Sequence, residues 1–284
     1  MKKMIFAAAL AALLPLLISC SEKDNTKDSL KEPRFVQSAG RLIPGDGTVA
    51  GIDLGESGTY VVGETPPGGD SSPSAWHPGT KTAAWVDPVY TTGTYDVNGN
   101  RYNLNGWGWV EFDNSASGNV VLKYKANGKE EVTVNANFVK STAKSDLYRT
   151  WRVDKTRVSL VQGQTTYSAD FSGCDFNEIA KFFKNNGYAI ADDIPAGSRV
   201  NTVMISGAGR IIICYSDGRT DAGSCTVSGN SLSYSWAGKG MGYSFETGRA
   251  TFEFLDGKCI LEFQVKLDGN SQAAFTMVLS DIES

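Results

Sequence analysis

From Phe35 to Lys140, apolar residues recur at every second position in short runs broken by Gly, Asn, Asp and Ser. That is the period of half-buried β-strands. The stretch GTVAGIDLGESGTYVVGE reads as two short strands around Gly55-Glu56-Ser57-Gly58. GTYDVNGNRYNLNGWGWVEF reads as a hairpin turning at Asn98-Gly99 with a type I′ turn, and NVVLKYKANGKEEVTVNANFV as a second, turning at Asn127-Gly128. Between these regions Thr65 to Val86 is rich in Pro, Gly and Ser and predicts a long loop. Ser141 to Asp146 is small and polar, a junction. LYRTWRVDKTRVSLV then opens a second unit with another alternating strand. A helical pattern lies in CDFNEIAKFFKNNG: Asp175 is the candidate N-cap, Glu178 completes a capping box, and Phe176, Ile179, Ala180 and Phe183 share a face. The remainder returns to hairpins, with turns at Asp217-Gly218, Gly229-Asn230, Asp256-Gly257 and Asp268-Gly269-Asn270.

The pattern changes character at the start of the chain. Lys2 and Lys3 precede an apolar run from Met4 to Ile18, too short to cross a bilayer that needs about 20 residues. It fits the apolar region of an export signal. The run ends in Leu17-Ile18-Ser19-Cys20, which resembles the lipobox of bacterial lipoproteins. The resemblance implies cleavage before Cys20 and acylation of its sulfur and amine. Several acyl chains, at about 0.8 kcal/mol per buried CH₂, anchor a protein stably where one alone is marginal. Ser21-Glu22-Lys23-Asp24 is similar to the surface-export signal of Bacteroidetes lipoproteins, which implies an outer-membrane address facing the cell exterior. The expected organisation is a signal peptide over 1–19, a lipidated tether over 20–34, an N-terminal β domain over 35–141 and a second β domain over 146–284 with a helix near 176–186.

Charge and composition narrow the function classes. The chain carries 27 basic and 31 acidic residues, and removal of Lys2 and Lys3 with the leader leaves 25 against 31. A net negative body is not drawn to nucleic acid. Beside Cys20 stand Cys174, Cys214, Cys225 and Cys259. Cys214 and Cys225 flank a hairpin centred near Arg219, so a bridge between them is one reading; four separate buried thiols is the other. No CxxC pair or histidine cluster suggests a metal site, and no cofactor motif is present. His77 is the only histidine, and no G-x-S-x-G elbow accompanies it, so a triad enzyme is not expected.

LYRTWRV followed by YSDGRTDAGSCTVSGNSLSYSW resembles the lipocalin-like (calycin-type) domains of Bacteroidetes lipoproteins, and GTYDVNGNRYNLNGWGWVEF resembles their N-terminal β unit. The resemblance implies a mostly β chain of two units, the second a lipocalin-like antiparallel barrel or sandwich with one short helix. Lipocalins begin with G-x-W; here Arg149-Thr150-Trp151 stands in that place. The resemblance supplies no ligand residues.

The candidate site is read from NGWGWVEF. Counting by two puts Asn103, Asn105, Trp107, Trp109 and Glu111 on one strand face. Flat rings beside amides suit a sugar: the ring stacks on a pyranose and the amides bond its hydroxyls. A β-bulge at Gly106 would instead send the tryptophans into the core. Trp76 and Trp85, beside His77 in the Pro/Gly loop, are the second aromatic pair and fit either recognition or anchoring of the loop. DVNGN at Asp96–Asn100 lacks the glycine and glutamate spacing of a calcium loop and reads as a turn. Arg149, Trp151, Val153, Lys155 and Arg157 share a face by parity, with Arg152 opposite. Together these features predict a surface lipoprotein that is a non-enzymatic binding module, with carbohydrate the leading ligand class and another small molecule the lesser. The alternative is a structural or assembly protein docking envelope partners through its β faces.

Overall fold

The computed structural model describes residues 39–65, 89–141, 145–188, 197–236, 247–268 and 271–282. They form two closed eight-stranded antiparallel barrels in chain order. The first comprises β1 (Gly40–Pro44), β2 (Val49–Leu54), β3 (Thr59–Glu64), β4 (Val89–Asn98), β5 (Arg101–Leu104), β6 (Gly108–Glu111), β7 (Gly118–Ala126) and β8 (Val132–Lys140). Each strand pairs with the next, and β8 returns to β1 with Gly40 opposite Lys140 and Pro44 opposite Ala136. Alternation decides what faces inward. On β7, Leu122 and Tyr124 point in while Lys123 and Lys125 point out. The interior holds a chain of ring contacts, Tyr95 to Tyr102 to Phe112 to Phe138, with centroids 5.7, 5.1 and 4.7 Å apart.

The β4–β5 turn corrects the expected turn type. Asn98 pairs with Arg101, so the two central residues are Gly99 and Asn100, and only Gly99 has positive φ (61°). That is the type II′ pattern, which takes glycine in first place. The β2–β3 hairpin forms where the sequence puts it, around Gly55–Gly58.

The second barrel comprises β9 (Thr150–Gln162), β12 (Arg199–Ser206), β13 (Arg210–Tyr215), β14 (Thr220–Ser228), β15 (Ser231–Trp236), β16 (Thr247–Leu255), β17 (Lys258–Asp268) and β18 (Ser271–Asp281). β10 (Thr165–Ser172), β11 (Cys174–Asp175) and helix α1 (Phe176–Asn185) are added to it. β18 pairs along the length of β9, whereas β12 meets β9 only at Thr150–Arg152; β10 takes over that edge from Lys155 onward. The ring therefore splits at one end. α1 lies across the split, with Phe182 on Phe171, Phe183 on Phe275 and Phe176 on Tyr215. Asp175 caps it as expected: its carboxylate accepts from the amides of Asn177 (2.9 Å) and Glu178 (3.4 Å).

β9 departs from simple alternation. Leu279 faces Val153 and Val278 faces Lys155, which leaves Asp154 in a bulge. The phase flips there, so Thr156, Val158 and Leu160 turn inward and Lys155 and Arg157 turn outward. The basic face expected from parity does not exist. Arg149 is instead buried, donating to the Asp281 carboxylate at 2.6 Å and to the Asp146 carbonyl at 2.8 Å, beside Trp151, whose indole N–H bonds the Leu147 carbonyl. These groups close one end of the second barrel.

Cys174, Cys214, Cys225 and Cys259 are free thiols, which corrects the bridge between Cys214 and Cys225. Cys214 lies opposite Thr220, and Cys225 opposite Tyr234 on the next strand. Moreover the two point to opposite faces: Cys225 joins the barrel interior and Cys214 the outer cluster with Val61, Met204 and Ile212. Burial pushes the Cys174, Cys225 and Cys259 thiols up to about 12, so they behave as small hydrophobes.

Candidate functional site

The tryptophan pair is split by the structure. Leu104 pairs with Gly108, so Asn105, Gly106 and Trp107 form a three-residue turn rather than a strand. Gly106, at φ 92°, takes the left-handed conformation this turn needs. Trp107 swings into the first barrel, 4% exposed, and its ring lies 6.0 Å from that of Tyr124. Trp109 keeps the outward parity, but the Arg101 guanidinium sits 3.9 Å over its ring and is held there by Glu111 at 2.9 Å. Asn103 is exposed opposite Trp109, while the Asn105 amide donates to Thr94 at 3.0 Å. The sugar platform of Trp107, Trp109, Asn103 and Asn105 is thus not assembled. Trp76, His77, Trp85 and the lipidation candidate Cys20 lie outside the described residues.

A different set of side chains converges at the split end of the second barrel. The inward row of β17 is graded. Cys259 and Leu261 are buried near the closed end, while Phe263, Val265 and Leu267 are only half-buried toward the mouth. Ile213 on β13 and Tyr234 on β15 are likewise half-buried and packed on the same core. Phe263 stacks on Phe275 at 4.8 Å with planes 3° apart, and Phe183 of α1 packs tilted against Phe275 at 6.4 Å. Among the described residues, the helix packs on one side of the mouth and the half-buried apolar groups of β15 and β17 line another.

Polar groups mark the rim. The Tyr215 hydroxyl donates to Asp221 at 2.7 Å, and burial together with that carboxylate pushes the phenol well above its usual range. Arg219 pairs with Asp217 at 2.6 Å, donates to Ser198 at 3.0 Å, and lies 5.2 Å from the Tyr215 ring. The hydrogen bond from Arg219 holds the Asp217 carboxyl below its usual range. An apolar wall with a few fixed polar groups at its edge is the usual make-up of a small-molecule seat.

No family model and no curated protein matches the chain. Among solved structures it is similar to a protein of unknown function from the DUF3598 family of Nostoc punctiforme, at 10% identity, with 86% of this chain and 94% of that one covered and a TM-score of 0.13. A likeness of that size carries no argument about this chain.

Among the described residues no group of three or more His, Cys, Asp or Glu side chains gathers to hold a metal ion, and no helix is long and apolar enough to cross a membrane. The mouth residues were present in the sequence as the alternation Phe263, Val265, Leu267. Nothing in that alternation distinguishes a lining from a core, because both are inward and apolar; the difference lies in how far the neighbouring strands extend.

Proposed function

We propose that the protein is a non-enzymatic binding module, held at the outer membrane by acylation of Cys20, that takes a ligand with an apolar body at the mouth of the second barrel. The observation that carries the ligand seat is the graded row of β17, packed at Cys259 and Leu261 and half-buried at Phe263, Val265 and Leu267. An apolar surface left uncovered inside a barrel rim is stabilised when a ligand removes it from water. A sugar would have to be read by Trp76, Trp85 or Trp109, since Trp107 is core; the half-buried row favours an apolar ligand body over carbohydrate. The address rests on Leu17-Ile18-Ser19-Cys20 and the charged residues after it.

Organic extraction of the denatured protein followed by mass spectrometry tests the seat. A co-purifying apolar molecule, or uptake of a fluorescent apolar probe that Leu267→Asp abolishes, is the expected result. A protein that takes up no probe and releases no molecule sinks the reading. Cys20→Ser moves the protein from the membrane fraction to the soluble one if the anchor is as described. The second reading, a structural or assembly protein, is favoured by β10, which is exposed over most of its length and has no further strand on its outer edge among the described residues. That role predicts a stable cross-linked envelope complex.

A further inference from the structure

A glutamate in a hairpin turn is ordinarily solvated. Glu56, in the turn between β2 and β3, is fully buried, and Ser57 and Thr59 beside it are buried too. The turn is seated in the second barrel. One carboxylate oxygen of Glu56 accepts from the Gly207 amide at 2.7 Å, the Ser141 hydroxyl at 2.5 Å and the Ser206 hydroxyl at 3.3 Å. Ser57 accepts from the Thr150 amide at 3.3 Å, and the Thr59 and Thr150 hydroxyls are 2.6 Å apart. The seat is shaped for this side chain. A Cβ on Gly207 would come within 2.3 Å of the Ser141 hydroxyl and 2.9 Å of the Glu56 oxygen. Around the seat the barrels meet through Val61 on one side and Met204 and Ile212 on the other.

The charge balance of the seat is uneven. The second oxygen of Glu56 is buried and meets no donor among the described residues. Every group that bonds the first oxygen is neutral. The titratable groups facing Glu56 are Tyr95 of β4, whose hydroxyl donates to the Gly55 carbonyl, Tyr148 ahead of β9, and Cys225 of β14. None of these supplies a positive charge at neutral pH. Arg210 of β13 and Arg41 of β1 lie 3.4 and 3.7 Å from the Asp53 carboxylate of β2. The donors on the first oxygen favour the ionised form, but burial of the charge outweighs them, so the neutral acid is the favoured state of the seat.

We propose that Glu56 is a proton-controlled latch between the two barrels: as the neutral acid it seats the β2–β3 turn, and its ionisation loosens the seat. The direction follows from linkage. Burial raises the folded carboxyl above the ordinary 4.5. The seated form therefore holds its proton after the freed turn has lost it. Seating is at full strength below the free value and is lost as pH rises through the folded one, by at most about tenfold per pH unit for one proton.

Hydrogen exchange of the full chain reads the latch directly, since the Gly207 and Thr150 amides are its donors. Corrected for intrinsic exchange, protection at both falls progressively as pH rises from about 4 to about 8, while amides central to β7 and β18 keep theirs. In Glu56→Gln the amide oxygen keeps the three donors and cannot ionise, so the pH dependence disappears. Wild-type protection that is flat with pH, or an unchanged slope in Glu56→Gln, overturns the proposal. Should that variant fail to fold, Gly207→Ala reports independently: its Cβ displaces Glu56 and lowers Thr150 protection at every pH with both barrels intact. Unaltered Thr150 protection in Gly207→Ala overturns the proposal equally.

Discussion

The two barrels share strand number and antiparallel order, yet their interiors are filled differently. The first is packed with rings: Tyr60, Tyr95, Tyr102, Trp107, Phe112, Tyr124 and Phe138 are all buried. Inward positions of the second mix rings such as Trp151, Phe252 and Phe275 with small groups, Cys174, Cys225, Cys259, Ala250 and Ala273, and its ring splits where β9 leaves β12 for β10. Ring volume makes the first barrel a solid body. A mixed filling, a split ring and a helix laid across it leave the second with a lined mouth. Strand topology alone does not decide whether an eight-stranded barrel is a core or a cup; the inward side chains and the closure of the last seam do.

Trp107→Ala is the strongest test of the solid side of this contrast. Removing a buried indole should destabilise the first barrel by about 3–5 kcal/mol in chemical denaturation and leave uptake of an apolar probe unchanged. A loss under about 1 kcal/mol would mean that the ring is not packed as described. The matching test on the open side is Leu267→Asp. A charge on a half-buried wall should lower probe affinity by more than about tenfold while stability moves by less than about 1 kcal/mol. If Leu267→Asp unfolds the barrel instead, the mouth is core and the contrast fails.

The sequence discloses these regions unequally. Local features are legible because their causes are local: the turn at Gly55–Gly58 and the Asp175 cap follow from residues within a few positions. Seam closure is not, because nothing near Gly40 announces Lys140 as its partner. Trp107 was misplaced by two-residue counting, since the count assumes unbroken strand and Gly106 opens a turn. Trp109, four residues past Asn105, kept its parity because the turn consumes three residues between paired Leu104 and Gly108. The same cause misplaced Lys155 and Arg157, beyond the bulge at Asp154. The mouth was invisible for a different reason: exposure inside a barrel depends on strands that are remote in sequence.

Asp154 tests whether that bulge matters to the second barrel. It receives Lys258 at 2.8 Å from β17, Arg152 at 3.1 Å and Ser280 from β18. Burial works to raise its carboxyl, but these donors outweigh it and hold the group at about 2, against 3.8 when free. Its contribution is therefore present above the free value and is lost as pH falls through about 2. Asp154→Asn should weaken the second barrel by roughly 1–2 kcal/mol at neutral pH and flatten the acid limb of its stability profile. An acid limb as steep as that of the wild type would assign the effect to other carboxylates.

The smallest effect concerns the helix that distinguishes the two barrels. Asp175→Ala removes the cap acceptor for Asn177 and Glu178 and should destabilise α1 by about 1 kcal/mol. Since Phe183 of α1 packs on Phe275, which stacks on Phe263 at the mouth, fraying of the helix should reach the probe as an affinity loss of up to about fivefold. Asp175→Asn keeps an acceptor oxygen and should restore most of it. The first barrel is untouched by either change. Probe affinity equal in Ala and wild type, with the helix shown to fray by exchange, would mean that the cup is formed by β15–β17 alone and that α1 only covers the split.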